Sequence, residues 1–387
     1  MNFDVVVVGA GLVGTCFARA ARGLSLALVG HAPASAAAAP AEIFDSRVYA
    51  LTPANVALLR ALKVWQAMPA ERLTPVYAMR VYGDDGVSEL EFEAYEAGAP
   101  ELAWIVEDAP LQAALWRGLE ARDELEILAG SECERLDPAD GHVDVALRGG
   151  RSLRARLVVG ADGAHSFVRA QAGIAAREQP YGQTAVVANF ACERPHRNVA
   201  YQWFQGGPVL ALLPLPGSHV SMVWSLPEAQ AARVLALAPA GLAREVEIAS
   251  RRALGELTLV GEPRGFALRR VSARRMVGTR VALVGDAAHV VHPLAGQGAN
   301  LGFQDAAELA RVLSAREPVR DPGDPRLLRR YERARAEPVL AMDLTVHGLY
   351  RLFQARTGAV VQLRNAGLNL TNRLAVLKNI LMRQAMG

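Results

Sequence analysis

The residues best suited to binding chemistry lie between positions 281 and 313. An apolar strand over 281–284 runs into Gly285-Asp286, and a loop then leads through Gly296-Gln297-Gly298 into the helical run 299–313. The strand delivers the Asp286 carboxylate to its carboxyl end, where open α/β sheets bind ligands. The glycines allow a ligand to approach the backbone, and the start of the helix offers free N–H groups to an anion. This spacing suits a ligand with hydroxyl groups at one end and a negatively charged ring at the other.

A second glycine-rich motif lies at the N-terminus. An apolar strand over 2–8 is followed by Gly9-Ala10-Gly11-Leu12-Val13-Gly14, a helical pattern over 15–23 and another strand over 25–29. A G-x-G-x-x-G motif between a strand and a helix is the dinucleotide fingerprint, because its glycines permit a tight turn, approach of a pyrophosphate and close helix packing. A glycine-rich turn without a ligand is the alternative. Together the two motifs favour a flavin, whose ribityl hydroxyls and reduced ring match the site at Asp286.

One feature departs from the fingerprint. The second strand ends in Gly30-His31, where dinucleotide-binding units usually carry an acidic residue for the ribose hydroxyls. The adenosine ribose must therefore be held by the backbone, by His31, or less firmly.

Three further residues are candidates for cofactor contacts. Arg47 lies where a loop turns back towards the nucleotide motif, and its guanidinium suits phosphate oxygens; an ordinary surface arginine is the alternative. Gln112, at the start of the helical run 111–121, reaches a flavin edge or is simply solvated. Asp162, in the turn after the strand that ends at Val159, bonds either a nucleotide or the amides of its own turn.

The order of elements predicts an α/β protein with a Rossmann-like FAD-binding domain, an inserted mixed or antiparallel substrate sheet and a C-terminal helical segment. Segments 125–147 and 152–159 predict strands of a small sheet, and period-two segments between 184 and 225 predict the substrate sheet. A helical insert over 228–254 follows. The expected division is FAD-binding domain, 1–75, 101–175 and 268–338; substrate sheet, 76–100 and 176–267; C-terminal helical segment, 339–387.

The C-terminal segment is rich in leucine. Leucines recur at helical spacing with basic residues between them: Leu363, Leu370, Leu374, Leu377 and Leu381, with Arg364, Arg373, Lys378 and Arg383. A basic amphipathic helix of this kind lies on a membrane or docks a partner protein. Packing on the body of the protein is an equally good alternative.

Composition sets the broad class. The 387 residues are 51% hydrophobic and 21% charged, which indicates a folded protein. A net charge of +3, without a basic cluster interleaved with aromatics, argues against nucleic acid as a partner. Three scattered cysteines, no signal peptide and no run of eighteen apolar residues favour a cytoplasmic protein without a membrane span. Peripheral contact with the inner face of a membrane stays open.

These motifs resemble the class A flavoprotein aromatic hydroxylases, the group that includes para-hydroxybenzoate hydroxylase. Three motifs support the group by their order and spacing: Gly9-x-Gly11-x-x-Gly14, Gly160-Ala161-Asp162-Gly163 and Gly285-Asp286. Within the group, the chain is most similar to the ubiquinone-biosynthesis hydroxylases. That resemblance rests on Gly285-Asp286-Ala287-Ala288-His289 with 292–302, Gly207-Pro208 with 212–215, Val223-Trp224, and Tyr331 with Arg335.

The resemblance implies a mechanism and a set of positions. NADH or NADPH reduces bound FAD, O2 forms a flavin C4a-hydroperoxide, and an OH group passes to an electron-rich ring. The implied cofactor contacts are Gly9, Gly11, Leu12, Val13, Gly14 and Arg47 at the pyrophosphate, Asp286 on the ribityl chain, and Pro293, Gly296, Gln297, Gly298, Ala299 and Asn300 along the flavin ring. His292 is the better candidate for a place near the flavin, and His289 is expected to be structural. No side chain is assigned a catalytic proton transfer.

Three functions are compatible with these observations. The first is a hydroxylase of a polyprenylated phenol in ubiquinone biosynthesis, in contact with a membrane or a quinone-synthesis complex. The second is a hydroxylase of a small soluble aromatic compound; an aromatic acid would need a cationic side chain in its pocket. The third is a non-catalytic flavin-binding or assembly subunit of a quinone-synthesis complex. No metal site is expected.

Overall fold

The structure is a computed structural model that describes residues 2–33, 44–292 and 296–354. Its larger core surrounds a central sheet of eight strands. These strands are β1 (Asn2–Val8), β2 (Leu26–Gly30), β8 (Leu125–Ala129), β9 (Cys133–Ala139), β10 (His142–Leu147), β11 (Ser152–Gly160), β17 (Val277–Gly278) and β18 (Val281–Leu283). Their order is β17-β18-β11-β1-β2-β8, and β10 links β11 to β9.

Valine and leucine runs account for the centre of this sheet. Residues 5–8 of β1 and 26–29 of β2 are buried, as expected for parallel strands covered on both faces. β1 pairs in parallel with β2 and with β11, and β11 pairs in parallel with β18. The carboxyl ends of β1, β11 and β18 therefore meet at one edge of the sheet.

The prediction that residues 125–159 form strands of a small sheet is wrong, because these strands join the eight-stranded central sheet. β8 pairs with β2, and β11 lies between β1 and β18. Of the predicted strands, β9 and β10 form an antiparallel extension beside β11. The last four residues of β11 are all buried, as in a central strand. Its partners β1 and β18 lie more than 100 residues away in sequence, where no local pattern reveals them.

A second sheet of eight strands is mostly antiparallel. Its strands are β5 (Ala78–Tyr82), β6 (Glu89–Glu93), β12 (Ala176–Cys192), β13 (Val199–Phe204), β14 (Val209–Leu215), β15 (His219–Pro227), β16 (Leu257–Ala273) and β19 (His289–Val290). The order is β19-β16-β12-β15-β14-β13-β5-β6. A three-stranded sheet joins β3 (Val48–Leu51), β7 (Ala103–Glu107) and β4 (Thr74–Val76).

Nine α-helices lie within the described residues: α1 (Leu12–Ala20), α2 (Pro53–Ala61), α3 (Ala94–Ala97), α4 (Asp108–Trp116), α5 (Phe167–Gln171), α6 (Glu228–Leu235), α7 (Pro239–Ala249), α8 (Gly298–Ser314) and α9 (Pro325–Gln354). The predicted helical insert is thus two helices, α6 and α7, and α4 is shorter than predicted. None of these helices is both long and apolar enough to cross a membrane.

The second sheet has two unlike faces. Its outer face, which includes Val186, Phe190 and Trp224, packs on α6 and α7. Its inner face turns towards the central-sheet region, where the Asn189 amide donates to the carbonyl oxygens of Phe44 (3.1 Å) and Asp45 (3.0 Å). The inner face is therefore the side on which a ligand held by the central sheet would meet the second sheet.

Helix α9 bridges the two sheets. Near its start, the Tyr331 hydroxyl donates to the Leu283 carbonyl of β18 at 2.8 Å. Near its end, Phe353 stacks on Phe204 of β13 with ring centroids 3.5 Å apart. The helix continues through Pro338, so it crosses the predicted boundary between residues 338 and 339. The rest of the predicted C-terminal segment, with its leucine repeat, lies outside the described residues.

Candidate functional site

Three glycine-containing turns meet at the carboxyl edge of the central sheet. The Ala161 amide donates to the Val8 carbonyl at 2.7 Å, and the Val284 amide donates to the Gly160 carbonyl at 2.9 Å. The turns after β1, β11 and β18 are thus hydrogen-bonded neighbours. The motifs that begin at positions 160 and 285 come together with the N-terminal one, at the edge where such sheets bind ligands.

The three glycines of the N-terminal motif have different surroundings. A Cβ atom on Gly9 would lie 2.3 Å from the Ala161 oxygen, and one on Gly14 would lie 1.9 Å from the Gly9 oxygen. These two glycines permit close packing within the protein. A Cβ atom on Gly11 would meet nothing within 4 Å. Gly11 therefore faces open space at the start of α1, where a ligand can approach the backbone.

Val13 aligns α1 with α8. A Cβ atom added to Gly302 would lie 2.6 Å from a Val13 methyl carbon, and one added to Gly285 would lie 3.1 Å from the same atom. Val13 thus fills the groove left by two glycines, and the two helix N-termini lie together at the edge of the sheet. Neither N-terminus is capped by a side chain, so its N–H groups suit an anion. Leu12, the first residue of α1, is buried in the core.

The end of β2 explains the missing acidic residue. Gly30 has a φ of +153°, and a Cβ atom there would lie 2.8 Å from the Ala10 nitrogen. No side chain fits between β2 and the glycine motif. His31, the next residue, is exposed.

Arg47 and Asp286 lie on the open side of this edge. Both are solvent-exposed, and the Arg47 guanidinium lies 4.9 Å from the centre of the Phe266 ring of β16. Surrounding protein atoms raise the pKa of Asp286, while the charges of His289 and Arg47 oppose that rise. Tyr49 and Asp108 raise the pKa of Arg47 despite its partial desolvation. The two predicted contact residues are therefore electrostatic neighbours across the cleft.

Gln112 lies one turn into α4, beside the same cleft. Its amide donates to both oxygens of Asp108, at 3.2 and 3.1 Å, and Asp108 also accepts from the Tyr49 hydroxyl at 2.9 Å. On the same helix, the Trp116 indole donates to the Ala10 carbonyl at 3.3 Å. These bonds tie α4 to the glycine motif. Gln112 reaches a ligand only through its remaining carbonyl oxygen.

The Asp162 carboxylate stabilises the turn in which it lies. One carboxylate oxygen accepts from the Ser166 hydroxyl at 2.5 Å and the other from the Val168 amide at 3.0 Å. These bonds hold the start of α5, as the structural interpretation expects. Contact of Asp162 with a nucleotide stays a prediction.

The loop before α8 is only partly described. Pro293, a predicted flavin contact, lies outside the described residues, and the description resumes at Gly296. A Cβ atom on Gly298 would meet nothing within 4 Å, so the backbone at Gly298 faces open space, with the partly buried Gln297 and Ala299 on either side. This opening parallels the one at Gly11.

The side chain of Asn300 hydrogen-bonds to protein groups rather than facing the opening beside Gly298. Its side-chain oxygen accepts from the Thr52 amide at 3.1 Å and from the Asn55 side chain at 2.9 Å, and its nitrogen donates to the Ala50 carbonyl at 2.8 Å. It fixes the start of α8 against β3 and α2. Asn300 would therefore serve a flavin indirectly, by fixing the start of α8.

A buried ion cluster supports the Gly285 turn. Asp305 of α8 is fully buried, accepts from the Gly285 amide at 2.9 Å, and pairs with His289 and Arg335, each at 2.6 Å. The Asp305 carboxylate raises the pKa of His289 against the effect of burial, and the two cations lower the pKa of Asp305. His289 is thus structural, as expected. Sequence reasoning missed Asp305, although an acidic residue between Leu301 and Leu309 on an apolar helix face was the available signal.

His292 is also buried, next to α9. Its ring lies 3.2 Å from the Gln183 carboxamide oxygen and packs edge-on against Tyr181, with Tyr350 5.1 Å away. Burial and the charge of His347 lower its pKa to about 4, so it is neutral near pH 7. His292 links β12 to α9; its nearness to a flavin stays a prediction.

The shape of the cleft fits the cofactor that the motifs imply. Gly11 and Gly298 leave room for a ligand against two helix N-termini, and Arg47 adds a cation at the opening. A pyrophosphate suits the first N-terminus and an anionic ring the second. No cluster of histidine, cysteine, aspartate or glutamate suited to a metal occurs within the described ranges.

Comparison with known proteins defines the class. Residues 2–343 match the family model described as FAD binding domain. The chain is 36% identical over 388 residues to ubiquinone hydroxylase UbiL of Rhodospirillum rubrum, covering 99% of this chain and 89% of that protein. It is 33% identical to the 3-demethoxyubiquinol 3-hydroxylase of Escherichia coli, covering 99% and 98% of the two chains.

Solved structures agree on the fold. The crystal structure of pqsL, a probable FAD-dependent monooxygenase from Pseudomonas aeruginosa, superposes with a TM-score of 0.80 at 23% identity, covering 95% of this chain and 99% of that one. Klebsiella pneumoniae HpxO complexed with FAD and uric acid gives a TM-score of 0.73 at 18% identity, covering 99% and 97%. The fold is thus that of a flavoprotein monooxygenase. The chain belongs to the FAD-binding family, and it is an FAD-dependent monooxygenase. The predicted fold class, enzyme class and FAD cofactor are confirmed.

Proposed function

We propose that this monooxygenase hydroxylates the aromatic ring of a polyprenylated phenol in ubiquinone biosynthesis. The observation that carries the proposal is the likeness, over nearly the whole of both chains, to a 3-demethoxyubiquinol 3-hydroxylase. NADH or NADPH serves as reductant and O2 as co-substrate. The chain's division into FAD-binding regions, an inserted sheet and a C-terminal helical segment is part of this proposal, as is the assignment of its cofactor contacts.

The charge distribution on the second sheet favours an uncharged ring. Within the described residues, the buried arginines are Arg169 and Arg335, and both lie away from the inner face: Arg169 donates to the Ala287 carbonyl and Arg335 pairs with Asp305. Arg264 lies at the exposed β16 edge of the inner face, and Arg47 lies beside it over Phe266. A small aromatic acid needs a buried cation for its carboxylate. The inner face therefore favours a phenol over an aromatic acid.

Each part of the cleft has a task in such a reaction. Bound FAD supplies the redox chemistry and activates O2. The α1 N-terminus, Gly11 and Arg47 bind the pyrophosphate, and Asp286 accepts hydrogen bonds from the ribityl hydroxyls. The α8 N-terminus stabilises negative charge on the ring system. The inner face of the second sheet covers the reacting groups and excludes water.

The test uses purified protein loaded with FAD. NAD(P)H oxidation should rise several-fold on addition of a polyprenylated phenol, with the hydroxylated ring as product, and a small aromatic acid should give no such rise. Stimulation by the acid alone would favour the soluble-substrate alternative. A colourless protein that stays apo with added FAD would favour the non-catalytic subunit. Deleting the gene and identifying the accumulated quinone precursor then names the ring position.

We also propose peripheral contact with a membrane that holds the polyprenyl substrate. The middle turns of α9 expose apolar side chains, with Leu340 57% and Leu344 58% exposed. Arg351 is exposed on the same stretch of helix, and Arg333 lies two turns before Leu340. Leucine and arginine side chains together suit an anionic lipid surface.

A further inference from the structure

The inner face of the second sheet has apolar clusters at both ends. Ala200 of β13 belongs to a cluster with Phe44 and Leu215, and Phe204 of the same strand belongs to a cluster with Phe353 of α9. Tyr201 and Trp203 alternate with these residues and pack on the outer face. Because strand side chains alternate between faces, Gln202 lies on the inner face, between the two clusters.

Gln202 has small apolar neighbours on every side. Its pairing partners are Val81 on β5 and Ala211 on β14, and Val223 on β15 lies one strand further. Ala211 and Val223 are only partly buried, so the face beside Gln202 is accessible. The small side chains in the middle of the face lie between the larger ones of the two clusters.

The carboxamide of Gln202 makes no hydrogen bond to another described residue, and its polar atoms are not fully enclosed, although the residue as a whole is only 7% exposed. The amide nitrogen and oxygen are therefore open to a partner from outside the protein. Two buried groups on the same face also lack a hydrogen-bond partner within the described residues: the Ser221 hydroxyl on β15 and the side-chain oxygen of its pairing partner Asn189 on β12. Such polar groups on a largely apolar wall indicate where a ligand's polar atoms bind.

We propose that Gln202 positions the substrate ring by hydrogen bonding its phenolic oxygen. This inference rests on the proposed function. The carboxamide oxygen accepts from the phenolic O–H, and the flanking apolar clusters hold the ring and the start of the prenyl chain. A neutral amide suits a phenol, since it neither requires nor repels a charge. The route from the cleft to the face is short, because a Cβ atom on Gly296 would lie 3.5 Å from the side chain of Ala50, which packs against the Phe44 cluster.

The first test replaces the amide by an apolar group of similar size. In Gln202→Leu, phenol binding to the oxidised holoenzyme, followed by perturbation of the flavin absorbance, should weaken about ten- to hundredfold. The hydrogen peroxide formed per NAD(P)H oxidised should rise, because a misplaced ring is hydroxylated less often. The methyl ether of the same phenol should bind the wild type and Gln202→Leu with equal affinity, since it lacks the O–H that Gln202 accepts.

Folding and a matched control separate positioning from structure. Gln202→Leu should keep its FAD content and melt near the wild-type temperature, because the substitution removes no hydrogen bond within the described residues. Gln205→Leu is the control: this glutamine bonds Trp224 and the Ala249 carbonyl, so it should lose stability and keep phenol affinity.

Three outcomes would overturn this inference but leave the proposed function standing: unchanged phenol affinity in Gln202→Leu, equal weakening for phenol and ether, or failure of that variant to fold. The proposed function fails separately, if wild-type holoenzyme shows neither phenol binding nor phenol-stimulated NAD(P)H oxidation.

Discussion

Gly11 and Gly14 belong to one motif but have different structural roles. Gly11 has a φ of −75° and open space at its Cβ position, so Gly11→Ala should fold with nearly unchanged stability. The added methyl group would occupy the space proposed for the pyrophosphate, and FAD affinity should fall at least about tenfold, or ~1.4 kcal/mol. Titration of apoprotein with FAD, beside thermal unfolding of the apoprotein, measures both effects.

Gly14→Ala is the matched control for that prediction. Its methyl group would lie 1.9 Å from the Gly9 oxygen, which should destabilise the apoprotein by about 1–3 kcal/mol or more. If Gly11→Ala instead unfolds the apoprotein while FAD affinity is kept, the proposed place of the pyrophosphate is wrong.

The two buried histidines of the site should respond to pH in opposite directions. The pKa of His289 is raised from its ordinary value of 6.5, so its contribution to stability is full below pH 6.5 and is lost as pH rises through the folded-state pKa. The pKa of His292 is lowered to about 4, so its contribution is full above pH 6.5 and declines as pH falls towards 4.

Urea unfolding of wild type, His289→Asn and His292→Asn at pH 5 to 9 measures this difference. The stability gap between wild type and His289→Asn should shrink as pH rises. The gap for His292→Asn should shrink below pH 6.5. Parallel gaps across the whole range would contradict both assignments.

At the level of elements, the end of α9 depends on one aromatic contact. Phe353 is 3% exposed and stacks on Phe204, so Phe353→Ala should cost about 3–5 kcal/mol locally. Backbone hydrogen exchange should accelerate over 343–354 and stay slow over 325–335, where Tyr331 and Arg335 anchor the helix. Leu349→Ala, at a 40% exposed position, is the control and should change neither region. Uniform acceleration along α9 would show that the helix unfolds as one unit.

Local sequence patterns predicted where strands and turns lie better than they predicted which strands pair with each other. The strands at residues 2–8 and 281–284 and the glycine turns after them are readable from local patterns, because valine runs and glycines mark buried strands and turns. The place of β11 between β1 and β18 was not readable, since strand pairing over such a separation depends on the whole fold. Asp305 was missed for the same reason: its partners His289 and Arg335 come from other elements. Gln202 could not be singled out from the sequence, because one polar residue in an alternating strand is common.

At the scale of the whole molecule, the exposed leucines of α9 offer a test of membrane contact. Leu340→Glu with Leu344→Glu places two carboxylates on an already exposed surface, so folding should be unaffected. Flotation of the holoprotein with anionic liposomes should fall several-fold, because charge repulsion and the loss of apolar contact act together. Val319→Glu, at a 92% exposed apolar position outside α9, should float like wild type. Equal flotation of all three proteins would remove this stretch of α9 from the membrane contact.

The narrow gap between Gly30 and Ala10 restricts which substitutions this protein can accept at position 30. An acidic side chain at position 30 would collide with the backbone nitrogen of Ala10, which no substitution at position 10 removes, unless the strand end left its present conformation. A descendant that gains a carboxylate for the adenosine ribose must therefore first shift the backbone of this turn, a change that brings no benefit by itself. Selection for tighter cofactor retention would act more readily at the exposed side chains around Arg47, which can be exchanged one at a time.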